Sequence, residues 1–314
     1  MATKELRITQ VVNKDGIKAN IPIGIAISDK PGKILTIITG IHGTEFVAHE
    51  TIMKFWKELD PEKFRGEVRI VLLADEAAVL ANRPATNPID GKNLNRVWPG
   101  DSNGSITEAI AAEITENVIK GSDALIDVHG GEWNEIIDMY VITHRSGQNP
   151  LDSEITKFAL ALGYPYVETT DIDASFLGKG MCSAEACRTA IPSVTLEIGG
   201  QGLRDDRWIT GIFKGLTNAM SYLGMNDVRL APIDKAPIQI REGLILKSEH
   251  NGTLKHLVAP AELVLGGSSI ANIYDIAGEL IQQITAPEDC VIMCLPAGRG
   301  VMAGGFVAKV GALY

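Results

Sequence analysis

Apolar positions along this chain alternate between short continuous blocks and stripes that recur every three or four residues. Residues 7–12 and 21–27 are the first such blocks and predict two short strands, a hairpin at a sheet edge. Residues 33–39, carrying Ile34-Leu35-Thr36-Ile37-Ile38-Thr39, are β-branched and unbroken, as a strand buried on both faces should be. Phe46, Ile52, Phe55, Trp56 and Leu59 then fall on one helical face, predicting a helix over 45–59. Further strands are expected at 68–73, 124–129, 139–143 and 193–198, and further helices at 151–162 and from Trp208 to Leu223, with Gly224 as the stop. Ser105-Ile106-Thr107-Glu108 has the spacing of a capping box, opening a helix that Gly121 ends. Strands alternating with helices imply an α/β fold, a mostly parallel, mixed sheet with helices on both faces. Ligands then bind beyond the carboxyl ends of the strands.

The pattern changes near residues 225–231. Beyond it prolines punctuate short apolar runs, no helical period survives, and Asn251-Gly252, Gly266-Gly267 and Gly304-Gly305 mark turns. Two domains are expected, an α/β domain over 1–228 and a smaller all-β domain over 229–314. Residues 84–104 have no period and are rich in Pro, Gly and Asn, which predicts a long loop of the kind that carries function.

Composition narrows the class. The 314 residues are 45% hydrophobic and 22% charged, and no apolar run approaches a membrane span. The N-terminus lacks a signal-peptide core, so a cytoplasmic location is expected. A net charge of -10 without a basic block argues against nucleic acid and anionic membrane as partners. An anionic substrate would need local arginines. Cys182, Cys187, Cys290 and Cys294 lack Cys-x-x-Cys spacing and are expected to be reduced thiols.

Candidate chemistry sits at strand ends. Gly40-Ile41-His42-Gly43-Thr44-Glu45 follows one predicted strand, His129-Gly130-Gly131 another, and Glu197 precedes Gly199-Gly200 on a third. Two imidazoles and a carboxylate converging on one rim are a ligand set for a catalytic metal, with a position left for water or substrate. Glu197 is placed to take a proton from that water and pass it to a leaving amine. In the loop, Asn95 and Arg96 are suited to gripping a carboxylate, and Arg83 to sheltering an oxyanion.

Four ordered segments carry a specific resemblance: His42-Gly43-Thr44-Glu45, Gly91 to Gly100, Asp127-Val128-His129-Gly130, and Thr195 to Gly200. Together they resemble the succinylglutamate desuccinylase/aspartoacylase family, a branch of the zinc carboxypeptidase superfamily. The resemblance implies one Zn2+ per chain on His42, Glu45 and His129, Glu197 as general base, and Asn95 and Arg96 on a substrate carboxylate. It departs from the family at Asn93, where a carboxylate often supports a zinc-bound histidine; Asp127 is the candidate substitute. Arg83 stands farther from the Asn-Arg pair than the family's arginine, and the segment 73–76 also differs. Residues 254–310 look like a barrel-sandwich module without an attachment lysine, suited to closing over the cleft or to a homo-oligomer contact.

The implied activity is hydrolysis of the amide of a small anionic N-acyl amino acid. A metallocarboxypeptidase acting on a short peptide uses the same ligands, and a metal-binding protein without catalysis is the reading from another class.

Overall fold

The computed structural model describes residues 1–174, 177–228, 236–241 and 243–314. Among them the alternating pattern resolves into one large mixed sheet, helices against its two faces, and two further antiparallel sheets. In chain order the first part comprises β1 (Thr3–Val12), β2 (Lys18–Ile27), β3 (Ile34–Thr39), α1 (Phe46–Glu58), β4 (Glu67–Val71), α2 (Glu76–Leu80), α3 (Ile106–Ile114) and β5 (Ala124–Val128). It continues with β6 (Glu135–Ile137), β7 (Tyr140–Arg145), α4 (Asn149–Leu162), β8 (Tyr166–Asp171), α5 (Cys182–Arg188), β9 (Ser193–Glu197) and α6 (Asp206–Tyr222). The predicted strands and helices of this part are present with ends shifted by one or a few residues. Not anticipated were α2, β6, β8 and α5.

The nine-stranded sheet runs β1-β2-β4-β3-β5-β9-β7-β8-β10, where β10 is Ile238–Arg241. Its middle, β4-β3-β5-β9, is parallel, so three chain turns leave neighbouring strands at the same rim. On one face α1, α4 and α6 bury Ile52, Phe55, Trp56, Phe158, Trp208, Ile212, Leu216 and Met220. The spacing of four between Trp208, Ile212, Leu216 and Met220 is the stripe expected of a helix lying flat on a sheet. On the other face α3 and α5 bury Ile106, Ile110, Ile114, Cys182 and Ala186, with Leu94 and Trp98 of the long loop beside them. Each fully buried Ile or Leu contributes roughly 1.5–3 kcal/mol. The Glu108 carboxylate accepts the Ser105 N–H at 2.8 Å, the glutamate half of the expected capping box.

The expected boundary at 228/229 adjoins residues 229–235, which lie outside the described ones. Strands cross on either side of it. β10 adds to the large sheet parallel to β8. β6 pairs with β16 (Cys290–Pro296) in the other direction. The β region otherwise holds β11 (Leu244–Lys247), β12 (Gly252–His256), β13 (Leu263–Val264), β14 (Ser269–Tyr274), β15 (Leu280–Thr285), β17 (Gly300–Val301) and β18 (Phe306–Ala312). These strands form a five-stranded sheet that includes β6, and a four-stranded sheet. No described helix is long and apolar enough to cross a membrane. All four cysteines are free and buried.

Candidate metal centre

Register brings the candidate residues together. Thr39 at the end of β3 lies opposite Val128 of β5, and Val128 opposite Leu196 of β9. His129 and Glu197 therefore follow directly after paired residues, and the His129 N–H donates to Leu196 O at 2.9 Å. His42 reaches the same rim through a turn that opens at Gly40, whose φ of +74° suits glycine alone among common residues. Gly43 seats that turn. Its N–H donates to Arg83 O at 3.1 Å, and a Cβ there would lie 2.2 Å from Ala78 O. Glu45 then stands at the N-terminus of α1.

Ligand-capable atoms of His42, Glu45 and His129 all lie within 4.8 Å of one another. His42 Nδ1 is 2.7 Å from Glu45 Oε1, and His129 Nδ1 is 3.0 Å from Glu45 Oε2. The outer nitrogens are held from behind. His42 Nε2 is 3.1 Å from Asn93 Oδ1, and His129 Nε2 is 3.0 Å from Asp127 Oδ2. Asn93 Oδ1 also accepts the Asn95 N–H at 2.7 Å, which fixes that amide with its oxygen toward the histidine. Each imidazole thus stands between two oxygen acceptors, His42 between Glu45 and Asn93 and His129 between Glu45 and Asp127. Both Nδ1 atoms face the one Glu45 carboxylate, where either a proton on the ring or a metal cation in its place satisfies the contact. A two-nitrogen, one-oxygen set with backed histidines fits a divalent metal such as zinc.

The local electrostatics have the same sense. Burial opposes charge on His129, yet Asp127 and Glu45 together hold its imidazole well above the ordinary histidine value. Burial pushes Glu45 up, and His129 and His42 pull it down further, so it stays ionised far below the usual carboxylate range. A fixed anion between two bases is what a cation site requires.

The other expected residues occupy distinct places. Burial pushes the Glu197 carboxyl up to about 8, against the opposing field of His129. Asn95 is buried beside His129: its Nδ2 is 3.1 Å from His129 Nε2 and its Oδ1 accepts the Cys182 N–H at 2.8 Å. Arg96 is exposed, with its Nη1 donating to Asn95 O at 2.6 Å, and its guanidinium interacts with Glu197. The Arg83 side chain is exposed and makes no hydrogen bond or ion pair among the described residues; its backbone carbonyl holds Gly43.

Asn93, read in the sequence as a departure, is the partner of His42, and Asp127 is the partner of His129. Glu132 is buried, accepting from Thr44 Oγ1 and from the Ala85 N–H at 2.7 Å, whereas Trp133 is exposed. Glu132 thus ties the metal turn, the loop after α2 and the segment after β5 together. Its only sequence signal was its place after Gly130-Gly131. His49 is buried behind the turn.

Residues 31–223 match the model of the succinylglutamate desuccinylase/aspartoacylase catalytic domain. The chain belongs to this family. The N-alpha-acetyl-L-2,4-diaminobutyric acid deacetylase of Halomonas elongata is 28% identical over 285 residues, covering 89% of this chain and 82% of that protein. A succinylglutamate desuccinylase/aspartoacylase from Rhodobacter sphaeroides superposes with a TM-score of 0.87 at 18% identity, over 99% of this chain and 95% of the other. The product-bound ectoine utilization protein EutE (DoeB) from Ruegeria pomeroyi does so with a TM-score of 0.86 at 20% identity, over 99% and 95%. These two likenesses are likenesses of fold.

Proposed function

We propose that this chain is a zinc-dependent deacylase that hydrolyses the amide of a small N-acyl amino acid. The observation carrying the reading is the His42-Glu45-His129 cluster, whose ligand-capable atoms all lie within 4.8 Å of one another around a buried, ionised carboxylate, one strand away from Glu197. When bound there, zinc supplies Lewis acidity and lowers the pKa of a coordinated water. The chain's own residues do the rest. Asn93 and Asp127 orient the imidazoles. Glu197, raised toward neutrality by burial, takes the proton of the attacking water and delivers it to the departing amine. Arg96, linked electrostatically to Glu197, meets the substrate carboxylate that the net charge of -10 would otherwise repel. Asn95 lies beside His129, its amide oriented by the Cys182 N–H. Arg83, its side chain exposed, is the second candidate for the developing oxyanion.

The relative from Halomonas elongata makes N-acetylated diamino acids the first substrates to try. The test is a panel of N-acetyl and N-succinyl amino acids, N-α-acetyl-2,4-diaminobutyrate among them, assayed for released amine with zinc and with chelator. Turnover of at least one member that chelator abolishes is the expected result. Cleavage of short peptides alone would replace the reading with a carboxypeptidase, and zinc binding without any turnover with a non-catalytic binder.

A further inference from the structure

The first strand ends the large sheet in an unusual way. β1 pairs with β2 over ten residues in an unbroken antiparallel register. No described residue pairs with its other edge. An edge of this kind is ordinarily shortened, bulged, covered or interrupted by proline, because its free amides and carbonyls recruit other strands. β1 has none of these; its only such device is charge, and Lys4, Glu5 and Arg7 carry both signs rather than one. Lys4 fixes the direction of its even-numbered side chains: Nζ lies 4.7 Å from the Trp56 ring and donates to Leu59 O at 2.6 Å, on the α1 face. Side chains alternate along a strand, so Leu6, Ile8 and Val12 share that face. They are 54%, 61% and 50% exposed.

We propose that this edge pairs with the same edge of a second copy, so that two nine-stranded sheets join through antiparallel β1 strands. The charge order selects the partner and the register. A two-fold axis perpendicular to the sheet passes midway between the two copies of one β1 residue and sets each residue opposite its mirror position. Centred on Glu5, the strands oppose two glutamates; centred on Lys4 or Arg7, they oppose two cations. Centred on Leu6, Glu5 of each copy faces Arg7 of the other, twice, and Leu6 meets Leu6 with Ile8 beside it on the same face. Opposite charges directly across a strand pair stabilise it, and like charges destabilise it. The strand complements itself in charge and apolar surface.

Sedimentation of the full chain tests this, with far-UV circular dichroism as the check on folding. Wild type is expected at twice the 33.7 kDa chain mass at micromolar concentration. Glu5→Arg alone and Arg7→Glu alone place like charges across the pair and are expected as monomers. Mixed one to one, they are expected to form a dimer, since each then supplies the charge the other lacks. The double variant Glu5→Arg with Arg7→Glu swaps the pair and is expected to dimerise alone. Amide exchange in β1 is expected to slow as protein concentration rises. A monomeric wild type, dimeric single variants, or a mixture and a double variant that both stay monomeric would each overturn the proposal.

Discussion

Two buried charge clusters lie on this sheet, and they are built on opposite principles. Lys309 of β18 and Glu168 of β8 form an ion pair at 2.7 Å with side chains 7% and 0% exposed. The second carboxylate oxygen of Glu168 accepts the Gly243 N–H at 2.8 Å, and the ammonium lies 5.2 Å from the Tyr140 ring centre. Each charge there is answered by another group of the chain. Around His42, Glu45 and His129 the count does not close. Asp127 Oδ1 is buried without a hydrogen-bond partner, and the Nδ1 atoms of both imidazoles converge on the single Glu45 carboxylate. A charge pair that only holds two regions together saturates itself, whereas a ligand site leaves its demand to be met by what binds. Burial alone does not distinguish the two; the completeness of the hydrogen bonding does.

Breaking each cluster separately should give opposite signatures. Glu197→Gln is expected to lower kcat by about 10²–10⁴-fold while zinc content and thermal midpoint stay near wild type. Steady-state kinetics with metal analysis of the same sample checks it. Lys309→Met leaves Glu168 charged and buried, and is expected to cost about 3–5 kcal/mol of stability in urea unfolding with zinc stoichiometry unchanged. Adding Glu168→Leu to that variant should recover most of the loss, because both charges are then gone.

The comparison sharpens at a third buried group. His144 is neutral in the fold, one nitrogen 2.8 Å from Ser183 Oγ and the other without a partner, and burial holds its pKa down to about 4. The unfolded chain titrates near 6.5, so between pH 6.5 and 4 it binds the proton that the folded state refuses. The contribution is complete above pH 6.5 and is lost as pH falls toward 4, by roughly 3 kcal/mol. Urea unfolding of wild type and His144→Leu across that range should show wild type losing roughly 3 kcal/mol more than the variant between pH 6.5 and 4. Smallest is the expected division between the arginines. Arg96→Met should raise KM about tenfold or more, the order of a lost charge-assisted contact, and Arg83→Met should act mainly on kcat.

How much of this was legible depended on the distance over which each residue finds its partner. The turns after β3, β5 and β9 could be read because glycines and ligand-type residues sit side by side in the sequence, and the alternation of elements placed their ends on one rim. The second set of contacts could not. Asn93 supports His42 across 51 residues, and Asn95, with the look of a surface carboxylate grip, is drawn under His129 because Leu94 and Trp98 bury the loop. β8 was missed for the same reason. Its Glu168 breaks an otherwise strand-like run, and the lysine that permits its burial lies 141 residues later. Short elements such as α2 and α5 hold too few turns for a period to emerge. The crossing of β6 and β10 between the two regions is a matter of pairing that composition does not encode.

The central claim is that the inward-facing cluster demands a cation, and calorimetric titration of zinc into chelator-stripped protein tests it most directly. One equivalent per chain is expected, with protons released, a raised thermal midpoint, and loss of the binding in His129→Ala and Glu45→Gln. Titration that shows no binding, or binding that survives both substitutions, would contradict it.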